Sequence, residues 1–220
     1  MQKKALEYTD VPLFANIAED NLRTMLRCLH GHEKHYKKGE ILLMDEAHVQ
    51  YVGVVLSGCI HMLKEDIWGR QTLFAYIDPG QLMGEMFAVQ REPNSYVSFV
   101  AATDAQVLFL SAEHIIHDCP NRCAFHGQLV TNFFDLLGQK GVSLMEKIEI
   151  SSQPSLREKI LAYLSMQAQK QASRYLTLPL NRTELADFLG VNRSAMTREL
   201  SAMRREGLID YEHNTFMLRK

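Results

Sequence analysis

The sequence predicts an α+β chain in three parts: an antiparallel β-sandwich or barrel, a long helix, and a winged helix-turn-helix. Three observations carry this. Six short β-branched and aromatic runs, separated by glycine turns, fall between residues 36 and 110. A proline-free stretch from residue 121 to 150 repeats apolar residues at spacings of three, four and seven. Near the carboxy terminus, two amphipathic segments are joined by a single glycine, Gly190. The expected division is 1–120, 121–151 and 152–220.

Residues 18–29 read as a short helix with Leu22, Leu26 and Leu29 on one face. The strand runs follow at 41–44, 51–56, 59–63, 71–77, 96–101 and 105–110, with turn signals at Trp68-Gly69 and Asp78-Pro79-Gly80 between them. After Pro120, Val130, Phe133, Leu137, Leu144 and Ile148 form a stripe on a helix of about thirty residues, about 45 Å long at 1.5 Å per residue. The stripe resembles a coiled-coil seam, so a homodimer interface is expected, with a core helix packed on its own barrel as the alternative. Gly138 and Gly141 weaken helix propensity there and allow close approach of a partner or ligand. Beyond Pro154, Ser155 caps a helix over 156–172, and 175–178 reads as a strand.

The chain has 220 residues, 46% hydrophobic and 23% charged, which excludes disorder, collagen and a coiled-coil rod. Its net charge of −2 argues against a nucleic-acid partner until it is divided. Residues 152–220 hold eleven Lys/Arg against seven Asp/Glu, a net of +4, and leave −6 on the rest. A basic tail domain on an acidic body points to nucleic acid as the partner of one part only. No signal-peptide core precedes the first helix and no run approaches the ~18 apolar residues of a membrane span, so the expectation is a cytoplasmic protein without membrane contact. The four cysteines read as reduced thiols.

Residues 181–208 are the most informative. Asn181 followed by Glu184 has the spacing of a capping box and opens a helix with Leu185, Ala186 and Leu189 inward. Gly190 stops it, Val191 plugs the turn, and Asn192 caps a second helix that buries Met196, Leu200 and Met203. Arg193, Ser194, Thr197, Arg198 and Ser201 then face outward. Arginine bonds guanine bidentately, Ser and Thr reach bases or phosphates, and the first turn of a recognition helix is where base edges are read. Arg204, Arg205 and Arg182 are placed for phosphates, and the segments flanking residues 212–214 read as a wing. Double-stranded DNA is the expected partner, against the bland alternative of a helical hairpin with solvated arginines.

The block from Leu180 to Leu200, followed by Met203-Arg-Arg-Glu-Gly-Leu-Ile, resembles the helix-turn-helix of the cyclic-AMP-receptor-protein/FNR family of transcription regulators. Upstream, Lys38-Gly39-Glu40, Val55-Leu56-Ser57-Gly58, and Pro79-Gly80 leading to Gly84-Glu85-Met86 resemble that family's effector-binding roll. The resemblance implies a double-stranded β-helix (jelly-roll, cyclic-nucleotide-binding-like) domain and a homodimer on a two-fold-related operator. It also implies a small-molecule effector, RNA polymerase as a partner if the protein activates, and base reading by Arg193, Ser194 and Arg198. It places the effector at Gly84, Glu85, Met86, Arg91, Ser95, Tyr96 and Lys140. Cyclic-nucleotide members end this cassette in an Arg-Ser pair that clamps the phosphate; Ser95-Tyr96 stands at that place, with Arg91 four residues earlier. The expected effector is therefore a small aromatic or acidic ligand and not cyclic AMP, because a buried phosphate without its guanidinium is an unpaired charge.

Two alternatives use other residues. His114, His117, Cys119, Cys123 and His126 are metal, haem or redox candidates, although no CxxC spacing occurs; His30, His32 and His35 read as solvated surface. A cupin-like β-barrel enzyme has only Glu85 with His61 as an approach to a catalytic pair. A non-DNA-binding nucleotide module is disfavoured by the exposed arginines. No resident cofactor is expected.

Overall fold

The computed structural model describes residues 5–116 and 125–219. Compactness divides the chain between Lys140 and Gly141, inside the long helix.

In the first unit, 3-10 turns at Tyr8–Asp10 and Pro12–Phe14 lead into helix α1 (Glu19–Cys28). Strands β1 (His32–Tyr36), β2 (Ile41–Leu43), β3 (Tyr51–Ser57), β4 (Ile60–Glu65), β5 (Gln71–Ile77) and β6 (Leu82–Met83) follow. After the short helix α2 (Glu85–Ala88) come β7 (Ser98–Ala101), β8 (Ala105–Ser111) and helix α3 (Ala112–Ile116). They form two antiparallel four-stranded sheets, ordered β1-β8-β3-β6 and β2-β7-β4-β5. Val55, Ile60, Met62, Ile77, Phe99 and Val107 from both sheets fill the space between them, the alternating inward face of a sandwich. Gly58 turns the chain from one sheet to the other. Its φ is +81°, and a Cβ there would overlap the backbone of Asp104 and Ala105, so only glycine fits.

The other face of β3 and β8 packs on Leu13, Phe14, Leu22 and Met25, and on Leu129 and Phe133 from the long helix α4 (His126–Ser151). A buried amide fixes that packing. Asn132 Nδ2 donates to the carbonyls of Leu13 (3.0 Å) and Ala15 (2.8 Å), while its Oδ1 accepts from Gln128. These bonds satisfy two carbonyls that the irregular amino-terminal segment leaves without partners of their own.

The seam of α4 differs from the expected one. Phe133 is buried and Leu137 packs against the unit's own core. The apolar side chains left in solvent are Phe134, Val142, Met145 and Ile148, each more than half exposed. The spacing was read correctly, but Phe133 and Leu137 belong to the barrel-facing side. Ile148 of the expected stripe stays in solvent, and Phe134, Val142 and Met145 join it there.

The second unit contains the helices α5 (Leu156–Gln171), α6 (Arg182–Leu189) and α7 (Arg193–Arg205), with strands β9 (Tyr175–Thr177), β10 (Ile209–Glu212) and β11 (Thr215–Leu218). The strands make one antiparallel sheet ordered β10-β11-β9. Ile160, Leu164, Leu185, Met196, Leu200 and Phe216 are all nearly inaccessible at its centre. Arg157 ties α5 to α7, donating to Glu199 (2.6 Å) and to both oxygens of Glu206 (2.6 and 2.9 Å). No described helix is long and apolar enough to cross a membrane.

Candidate nucleic-acid interface and effector site

The reading head is built by two caps and one glycine. Asn181 Oδ1 accepts from the Thr183 and Glu184 amides while Glu184 returns a bond to the Asn181 amide, closing the capping box. Gly190, at φ +65°, ends α6 in the left-handed region, where a Cβ would be strained. Asn192 then accepts from the Ser194 and Ala195 amides to start α7.

Met196, Leu200 and Met203 are buried, so α7 turns Arg193, Ser194, Thr197, Arg198 and Ser201 to solvent. Asn192, Arg193, Ser194, Thr197 and Arg198 together line a shallow groove. Neither Arg193 nor Arg198 is paired with a carboxylate among the described residues. The Thr197 hydroxyl donates to Arg193 O, and that of Ser201 to Thr197 O (both 2.9 Å), which leaves their oxygens as acceptors toward the groove. Asn192 was read from sequence only as a cap; its place in the groove follows from its position immediately before the first turn.

The other three arginines differ. Arg205 is exposed, and its Nε lies 3.4 Å from the Ser201 carbonyl. Arg204 pairs with Asp210 (2.8 Å) and lies over the Tyr211 ring. Arg182 is half-buried: its guanidinium lies 4.7 Å from the Tyr211 ring centre and 4.5 Å from that of Phe216, and it donates to His213 O at 2.9 Å. Burial lowers the basicity of Arg182. The phosphate-facing exposure expected for Arg182 is thus not what the structure shows.

In the roll, Gly84 takes φ +78° and Glu85 opens α2 with its side chain 2% exposed. Lys140 from α4 pairs with Glu85 Oε1 and also donates to Leu82 O at 3.0 Å. Glu85 Oε2 is buried without a partner. Glu85 and Lys140 are thus brought together, with Met86 half-buried beside Glu85 in α2. Ser95 is buried and its hydroxyl donates to Val97 O at 2.6 Å. Tyr96 points outward beneath Lys64 (4.2 Å), which itself pairs with Asp45 at 2.6 Å. Arg91 is exposed. Lys64 and Asp45 were missed from sequence because nothing local links them to Tyr96.

His61 packs on Tyr76 across β4 and β5, while Glu85 is engaged by Lys140. His114 Nδ1 lies 2.8 Å from Ser111 Oγ, and its ring is 4.4 Å from that of His30. His126 begins α4. His117, Cys119 and Cys123 lie outside the described residues. Among the described residues no three His, Cys, Asp or Glu side chains group as a metal site.

Residues 33–117 match the family model for the cyclic nucleotide-binding domain, and residues 158–219 match the Crp-like helix-turn-helix domain. The chain belongs to the cyclic-AMP-receptor-protein/FNR family of transcription regulators. Similar members include the cyclic AMP receptor protein of Thermus thermophilus, 24% identical over 95% of this chain and 93% of that one. The nitrogen fixation regulation protein FixK of Bradyrhizobium diazoefficiens is 24% identical over 86% of this chain and 78% of its own. The fold matches the solved structure of the c-di-GMP responsive global regulator CLP of Xanthomonas campestris with a TM-score of 0.65 at 17% identity, over 91% of this chain and all of that one. As a member of the family the chain is a DNA-binding regulator and not an enzyme.

Asp210 makes one acid-dependent contribution to the winged helix. The Tyr211 amide, then Arg219 and Arg204, hold its carboxyl below the ordinary value of 3.8. A depressed folded pKa contributes stability that is present above 3.8 and lost as pH falls through the lower folded value. Unfolding of the winged helix followed from pH 6 to pH 2 is expected to show that loss below about pH 4. Asp210→Asn is expected to remove that part of the acid dependence.

Proposed function

We propose that the protein is a homodimeric, sequence-specific operator-binding regulator controlled by a small molecule other than cyclic AMP, bound in the roll. The observation that carries the reading is the pair of unpaired arginines, Arg193 and Arg198, flanking the groove at the amino end of α7. Major-groove reading puts such residues on guanine edges, with Ser194, Thr197 and Ser201 on bases or phosphates. Arg204 and Arg205 flank the DNA backbone. Arg198→Ala is expected to cost about 1–3 kcal/mol of affinity for an operator selected with the wild-type protein, and to relax preference at one base position in each half-site. Equal affinity and unchanged base preference would show that α7 does not read sequence.

The effector reading rests on the roll. A cyclic nucleotide brings a phosphate monoanion, and the cassette offers it no buried guanidinium: Arg91 is exposed, the Ser95 hydroxyl is spent on Val97, and Tyr96 faces outward. Gly84, Glu85, Met86 and Lys140 remain as the effector-facing set. Calorimetry of the purified protein with cyclic AMP is expected to show no micromolar binding; a micromolar isotherm would overturn this assignment.

Phe134, Val142, Met145 and Ile148 supply the dimer seam, and Gly138 and Gly141 let a second helix come close. Each glycine has nothing within 4 Å of where its Cβ would stand. Met145→Glu places a carboxylate in that seam. Light scattering is expected to find the variant monomeric and the wild type dimeric; a dimeric variant would place the interface elsewhere. If the protein activates, RNA polymerase is its further partner.

A further inference from the structure

We propose that Arg182 is a positioning residue for DNA binding, clamping the wing to the amino end of α6, and is not a phosphate ligand. The inference rests on the operator-binding reading but concerns a different part of the winged helix. The guanidinium plane lies over two rings of the wing, Tyr211 at 4.7 Å and Phe216 at 4.5 Å. Its Nη2 donates to the carbonyl of His213 at 2.9 Å. His213 stands in the two-residue turn between β10 and β11 at φ +49°, a left-handed conformation uncommon for a side-chain-bearing residue outside such turns.

Tyr211 completes the clamp on the other side. Arg204 of α7 lies 5.3 Å from the Tyr211 ring centre and pairs with Asp210, the preceding residue. The Tyr211 hydroxyl is 3.5 Å from Ser201 Oγ. The wing is therefore fastened to both helices of the reading head, so its distance from the groove at Arg193 and Arg198 is fixed before DNA arrives. To reach a phosphate, Arg182 would have to leave both rings and release the turn.

Lysine separates the two roles. A phosphate accepts any cation at the right place, whereas stacking on two rings needs the flat guanidinium. The full chain with Arg182→Lys or Arg182→Met is to be titrated with a short duplex of arbitrary sequence over a series of salt concentrations. The titrations are run well below the unfolding midpoint, where a merely destabilised protein is still folded and binds normally. Hydrogen exchange of residues 209–218 is followed in parallel. A positioning role gives the same several-fold loss of affinity in both variants, an unchanged salt slope, and faster exchange in the wing. Wild-type affinity in Arg182→Lys, with a slope about one smaller in Arg182→Met, would overturn the proposal. Unaltered affinity and exchange in both would overturn it equally. If Arg182→Met does not fold, Arg182→Lys decides alone. If the wild type binds no such duplex, which a sequence-specific, effector-controlled regulator allows, exchange in the wing alone decides whether Arg182 clamps it, independently of the operator-binding reading.

Discussion

Positive charge is concentrated where the free protein gains least from it. The amino end of α7 is the positive pole of a helix, capped by the uncharged Asn192, and Arg193 stands in its first turn with no acidic residue in that turn. Elsewhere in the winged helix the carboxylates are committed. Glu199 and Glu206 hold Arg157, and Asp210 holds Arg204 and Arg219. Every one of those pairs braces the scaffold and leaves the groove at Arg193 and Arg198 without neutralisation. A chain of net charge −2 thus carries a locally cationic groove.

The roll follows the opposite rule. Glu85 is almost wholly buried, and a buried carboxylate without a counter-ion is costly, so Lys140 reaches from α4 to supply one. A molecule that inserts between them has to satisfy both partners or leave one charge stranded. That constraint selects for ligands with a donor on one side and an acceptor or anion on the other. The same pair ties α4, the element carrying the exposed apolar stripe, to the roll.

Much of this was legible because the determining signals are local. The strand over residues 71–77 was bounded by turns at Trp68-Gly69 and Asp78-Pro79-Gly80 and appears with the same ends. The caps at Asn181 and Asn192 and the stop at Gly190 fixed both helices of the reading head, and the buried faces of α6 and α7 are the expected ones. Strand β1 was not read, because His32-Glu33-Lys34-His35 carries no apolar alternation. It is an edge strand with four of its five residues exposed. The expected stripe of α4 keeps Ile148 in solvent but loses Phe133 and Leu137 to the barrel, since periodicity gives the spacing of a stripe and not which neighbour covers it. Arg182 looked like a free cation for a related reason: its partners Tyr211, His213 and Phe216 arrive from a distant strand pair, as Glu85 does for Lys140.

Gly138 and Gly141 bear on the mechanics of α4. Among the described residues nothing stands within 4 Å of where either Cβ would be, and a mid-helix glycine costs roughly 0.5–1 kcal/mol relative to alanine. The two bracket Lys140, the last residue of the first compact unit. The longest described helix thus has two positions of low helix propensity on either side of Lys140, which ties it to the roll. Of the turns between residues 129 and 151, the one around Lys140 gives up least helical propensity on opening.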